Sequence, residues 1–147
     1  MRGMPEETGG EGALMTKLQM TNAELNRALA ELMGYSVKRS NNKFRLHLPE
    51  NTSGWTYNSE ESAWEDAPDY CADPAASIEV QAAAIAANKV GYLNNLLSLV
   101  SPGEDIQFGL GGSMEVVGYN IDGTSAMLVA TPRQRAEAAY MTLQGAQ

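Results

Sequence analysis

The chain has 147 residues, 44% hydrophobic and 19% charged, a balance that supports one folded domain and excludes a wholly disordered chain. Its formal charge of −8 has the wrong sign for a protein held on duplex nucleic acid by many phosphate contacts, although a pocket for a small anion needs only two or three local arginines. A single cysteine, Cys71, and a single histidine, His47, exclude an intrachain disulfide and the usual four-ligand zinc sites.

Residues 1–15 hold four glycines, a proline and three glutamates with little to bury, so residues 1–19 read as a flexible arm and residues 20–147 as the folded domain. The arm has no basic-then-apolar secretory layout, and no apolar run reaches the roughly 20 residues of a membrane span, so the expectation is a soluble, intracellular protein.

Thr21 with Glu24 three residues later is a capping-box signature, and Leu25, Leu29, Leu32 and Met33 follow at helical spacing until Gly34. Asn26 and Arg27 lie on the opposite, polar face of that helix. Phe44, Leu46 and Leu48 alternate with Arg45 and His47, a strand pattern that Pro49 ends. Lys38, Arg39, Lys43 and Arg45, around Ser40-Asn41-Asn42, read as a solvated hairpin or turn. From Glu50 to Asp73 the sequence is irregular, with Trp55, Tyr57, Trp64 and Tyr70 among many acids. These aromatics can stack a planar ligand, but core packing is the commoner use of Trp64 and Tyr70.

Asp73-Pro74 predicts a helix start, and the apolar spacing from Ile78 to Val100 predicts a long central helix that Gly91 divides. Its alanine-rich half, with residues 82–87, implies a close approach to another element or partner. Beyond Pro102-Gly103, three segments around 105–108, 114–119 and 125–130 read as an antiparallel meander with turns at the 109–112 glycines and at Asp122-Gly123. Thr131-Pro132 with Gln134 then starts a terminal helix that buries Ala136, Ala139, Tyr140 and Leu143. The expected fold class is α+β: an antiparallel sheet of about four strands covered by helices.

Arg133 and Arg135 beside that last helix start form the best anion site in the sequence, since helix N-terminal N–H groups and guanidinium forks both favour an anion. The plainer reading, a capped helix with two solvated arginines, has equal weight. The 109–112 glycines lack the lysine and spacing of a phosphate loop. The adjacent carboxylate pairs Glu60/Glu61 and Glu65/Asp66 diverge, so no acid/base dyad, cofactor or metal site is expected.

Three ordered stretches carry a family resemblance: MTNAELNRALAELMGY at the first helix, W-x3-PDYCADPAAS from Trp64 to Ser77, and ATPRQRAEAAYMTL near the end. Together they resemble the phage ABA-sandwich domain family, which implies a helix/sheet/helix sandwich and a virus-encoded protein in the cytoplasm of an infected bacterium. The layout is also similar to phage anti-Thoeris sponges, oligomers that sequester cyclic ADP-ribose signals and, in some members, cyclic oligonucleotides. That similarity implies a small cyclic nucleotide ligand, no turnover and a homo-oligomer, with a site assembled from Arg27, Phe108, Asn120, Arg133 and Arg135. Replacing Arg133 would then cost affinity while leaving folding nearly intact. A phage structural or accessory binding protein with no small ligand is the alternative, and an enzyme acting on a nucleotide comes last.

Overall fold

The computed structural model describes residues 19–52, 54–102 and 121–146, with the backbone of 107–108 and 114–115. Residues 1–18 of the expected 1–19 arm lie outside the described residues. Met20, the first residue of the expected domain, packs against the core.

Helix α1 (Asn22–Leu32) starts where the capping box predicts it. The Glu24 N–H donates to Thr21 Oγ1 at 3.1 Å while the Thr21 N–H donates to Glu24 Oε1 at 2.9 Å, which satisfies two of the otherwise unpaired donors of the first turn. Leu25, Leu29 and Ala30 are fully buried. Each large side chain of this kind contributes roughly 1.5–3 kcal/mol by leaving water. Gly34 ends the run at φ +104°, and a Cβ there would lie 3.2 Å from Pro49 Cγ, so both backbone and space require glycine.

Strands β1 (Ser36–Ser40) and β2 (Lys43–His47) form an antiparallel hairpin with Val37 opposite Leu46 and Lys38 opposite Arg45. Asn41 and Asn42 make the two-residue turn at φ +54° and +64°, a conformation that asparagine tolerates and that matches the strand twist. The following stretch, expected to be irregular throughout, is partly ordered. Tyr57 exchanges backbone hydrogen bonds with Phe44, and Ser59 caps a short helix α2 (Glu60–Glu65) that packs against the hairpin. Tyr70 is buried as a core plug and Trp64 packs partly against the same cluster, whereas Trp55 is 75% exposed.

Helix α3 (Pro74–Ala87) begins at Asp73, whose side chain accepts the Ala75 N–H. The division from α4 (Lys89–Val100) falls at Asn88, not at Gly91. Asn88 leaves helical geometry and accepts the Gly91 N–H at 3.0 Å, capping α4. Gly91 makes room for that cap, since a Cβ there would meet Asn88 Nδ2 at 2.6 Å.

The expected meander is corrected in its last segment. Strands β3 (Gln107–Phe108) and β4 (Met114–Glu115) pair antiparallel, but residues 125–128 belong to helix α5 (Ile121–Leu128), with Asp122-Gly123 in its first turn. The run SAMLVA has no polar alternation to hold one face of a sheet, and packing of α5 on α4 with Met127 against the core selects the helix. Among the described residues the four strands form two separate two-stranded sheets. The chain is therefore mixed α+β.

Helix α6 (Pro132–Gly145) repeats the capping box, with Thr131 and Gln134 bonded reciprocally. Residues Ala136, Glu137, Ala138 and Ala139 are buried in succession, which requires neighbours on most sides. Helices α1, α3 and α4 supply them, and the small alanines let all three approach. Tyr140 and Leu143, expected on the buried face, pack against the core and are half-buried. Among the described residues no helix is long and apolar enough to cross a membrane.

Candidate functional site

The polar face of α1 and the segment 61–69 enclose an open cleft of about 390 Å³. Arg27 lines it, with its guanidinium carbon 5.0 Å from the centroid of the Trp64 ring, a cation–π distance. Arg27 Nη2 donates to Glu60 Oε2 at 2.9 Å, and Nε lies 3.5 Å from Glu31 Oε2. All three side chains are about half exposed, so these ion pairs are weak and exchangeable. The Trp64 Nε1 donor is buried and lacks an acceptor among the described residues.

Asn26 fixes the floor of the cleft. Its amide donates to Asp69 Oδ1 at 2.9 Å, and its carbonyl oxygen accepts the Cys71 N–H at 3.0 Å, tying α1 to the turn before α3. Glu24, Glu61, Glu65 and Asp69 also line the cleft, so its rim is acidic.

Arg133 does not line this cleft; it is a structural clasp. Its Nε donates to Glu137 Oε2 at 2.7 Å, Nη1 to Asn22 Oδ1 at 2.7 Å and Nη2 to the Met20 carbonyl at 2.8 Å. The guanidinium thus joins α6 to the start of α1, and its three donating nitrogens are committed within the chain. The helix end offers little more: Pro132 has no N–H, and Thr131 takes that of Gln134. Arg135 donates to Ser77 Oγ at 3.2 Å, bridging α6 to α3. Phe108 lies in β3 opposite Met114, but its side chain and the whole of Asn120 lie outside the described residues. Of the three expected site residues whose side chains are described, Arg27, Arg133 and Arg135, only Arg27 lines the cleft.

Cys71 lies beneath the clasp. Burial pushes its thiol pKa up, and the neighbouring Arg133 guanidinium opposes that shift. Burial likewise raises Tyr70 and Tyr92, and Tyr35 with help from Glu79 and Glu50. Among the described residues no group of three or more histidine, cysteine, aspartate or glutamate side chains is arranged to hold a metal.

The Arg27–Trp64 contact joins two residues that the sequence marks separately, but the Asn26–Asp69 bond spans 43 residues and has no local pattern to announce it. Comparison with protein-family models, curated proteins and solved structures found no match.

Proposed function

We propose that the protein is a non-catalytic binding protein that takes up a small nucleotide signal in the α1/α2 cleft and sequesters it unchanged. The observation that carries this reading is Arg27 stacked over Trp64 at the mouth of the cleft. An aromatic face stacks any base, and a guanidinium held only by half-exposed carboxylates can exchange them for a ligand phosphate. The proposed ligand class is cyclic ADP-ribose, with cyclic oligonucleotides second, as the resemblance to phage sponges implies. In that reading the protein is virus-encoded, acts in the cytoplasm of an infected bacterium, and carries its two hairpins within a single helix/sheet/helix sandwich over residues 20–147.

Calorimetry with cyclic ADP-ribose isomers and cyclic dinucleotides tests it. Binding should weaken by roughly five- to 150-fold in Trp64→Ala, since stacking is worth about 1–3 kcal/mol per base, and should weaken also in Arg27→Ala. The ligand should be recovered intact after heat denaturation. Converted ligand would make the protein an enzyme. Absence of heat throughout would favour the second reading, a phage structural or accessory binding protein. The specific observation behind that alternative is the acidic rim of Glu24, Glu61, Glu65 and Asp69, which opposes an anionic ligand.

A further inference from the structure

The β1–β2 hairpin carries Lys38, Arg39, Lys43 and Arg45 and no acid, in a chain of net charge −8. Residues directly opposite one another share a face of a sheet, as do residues two apart in a strand. The register therefore gathers Lys38, Arg45, Ser40 and Lys43 on one face. Val37 and Leu46 belong to the other face, where Leu46 is buried, so the basic face is the outer one. A hollow of about 210 Å³ opens beside it, with a polar lining of Ser40, Asn41, Lys43, Arg45 and Thr56.

Every polar side chain of that lining can donate a hydrogen bond, and none is a carboxylate. Among the described residues Lys38 has no hydrogen-bond or ion-pair partner, and neither do the side chains of Ser40, Asn41 and Thr56. Lys43 Nζ donates to the neutral Asn58 Oδ1, which leaves its charge unpaired with any acid. Lysine, arginine, serine, threonine and asparagine are the side chains that hold phosphate oxygens in nucleic-acid complexes. Lys43 and Arg45, two residues apart in β2, are spaced by ~6.6 Å along the strand, close to the separation of successive phosphates in an extended nucleic-acid strand. Trp55 is 75% exposed and immediately precedes Thr56, so an aromatic ring stands beside the hollow. An aromatic face stacks any base without regard to sequence.

We infer that the outer face of the hairpin is a docking surface for single-stranded nucleic acid, with phosphates on Lys38, Lys43 and Arg45 and a base on Trp55. An acidic protein segment would match the charge but leave Trp55 without a role. A duplex presents a denser charge, which the net −8 of the chain opposes beyond the hairpin, whereas a single strand needs only these few cations. No residue of the hollow lines the α1/α2 cleft, so the surface does not depend on the cleft holding a nucleotide.

Fluorescence anisotropy of the full chain with a labelled oligothymidine of about ten nucleotides tests the surface. Binding should weaken as salt rises, with a log–log slope of about −2 for three phosphate contacts at about −0.7 each. The double variant Lys38→Ala/Lys43→Ala should bind roughly two- to thirtyfold more weakly, as two exposed charge contacts are lost, and bring the slope to about −0.7. Lys38→Arg/Lys43→Arg keeps both charges and should bind as the wild type does. Trp55→Ala should weaken binding by roughly five- to 150-fold, and circular dichroism should be unchanged in all three variants. Arg27→Ala, in the cleft, should bind the oligonucleotide normally. No binding at low salt, or binding undiminished in Lys38→Ala/Lys43→Ala, would overturn the surface. Equal affinity for a duplex of the same length would overturn the single-strand assignment. Competition by polyglutamate as effective as by unlabelled oligonucleotide, with Trp55→Ala unaffected, would overturn it in favour of an acidic protein partner. Binding lost in Arg27→Ala would overturn it in favour of the cleft.

Discussion

Arg133→Ala should destabilise the fold, contrary to the expectation from sequence that folding would stay nearly intact. The Glu137 side chain is 9% exposed, and Arg133, itself 25% exposed, is its ion-pair partner. Removing one member of a buried pair costs about 3–5 kcal/mol, because a desolvated charge is left without compensation. Partial solvent access at Arg133 reduces this, so we expect roughly 2–4 kcal/mol after that discount. The substitution also strips donors from Asn22 Oδ1 and the Met20 carbonyl, uncoupling the start of α1 from α6. For a chain of this length that corresponds to a melting temperature lower by roughly 5–15 °C. Urea denaturation supplies the free energy. Arg133→Met with Glu137→Met removes both charges and should recover most of the loss, since an apolar pair of similar volume is often neutral. Wild-type stability in Arg133→Ala, or a double variant worse than the single one, would refute the clasp.

Deleting residues 1–15 should move the melting temperature by no more than about one or two degrees, as measured by calorimetric scans, because the segment offers little to bury. Gly34→Ala should cost about 1 kcal/mol or more by urea denaturation, from the positive φ and the contact with Pro49. Gly91→Ala should cost a similar amount, about 1 kcal/mol, by displacing the Asn88 cap; if Asn88→Ala in the same background costs nothing further, the two share one mechanism. Tyr70 and Tyr92 have folded pKa values above the ordinary 10.0, so the folded state holds those protons more tightly than the unfolded chain. Their contribution is complete below that value and is lost as pH rises through the folded pKa. Denaturation midpoints should therefore fall progressively as pH rises above about 10, less steeply in Tyr92→Phe.

Local signals in the sequence located most helices. The caps at Thr21, Asp73 and Thr131 appear where a hydroxyl or carboxylate precedes a helical pattern, since capping is decided within four residues. The Asn88 break was hidden because Gly91 draws attention as a helix breaker, whereas its small size serves the cap three residues earlier. Residues 125–128 escaped because an apolar run without alternation suits helix and strand alike, and only packing on α4 decides between them. The role of Arg133 was hidden for a different reason. Its partners Met20 and Asn22 lie more than a hundred residues away, so a helix start that resembles an anion site in sequence is filled by its own chain in space. Arg27 and Trp64 were both visible as candidates, but the contact that makes them a site joins residues 37 positions apart and depends on the fold bringing them together.

The chain has two tryptophans, Trp55 exposed and Trp64 at the cleft, so isotope-labelled tryptophan gives two indole N–H resonances that Trp55→Phe assigns. Titration with cyclic ADP-ribose and then with cyclic dinucleotides tests the proposed site through Trp64, whose ring lines the cleft. The account predicts a saturable shift of the Trp64 resonance with one of these ligands, abolished in Arg27→Ala, while Trp55 stays in place. A Trp64 resonance unmoved by every ligand at millimolar concentration, or movement confined to Trp55, would contradict it.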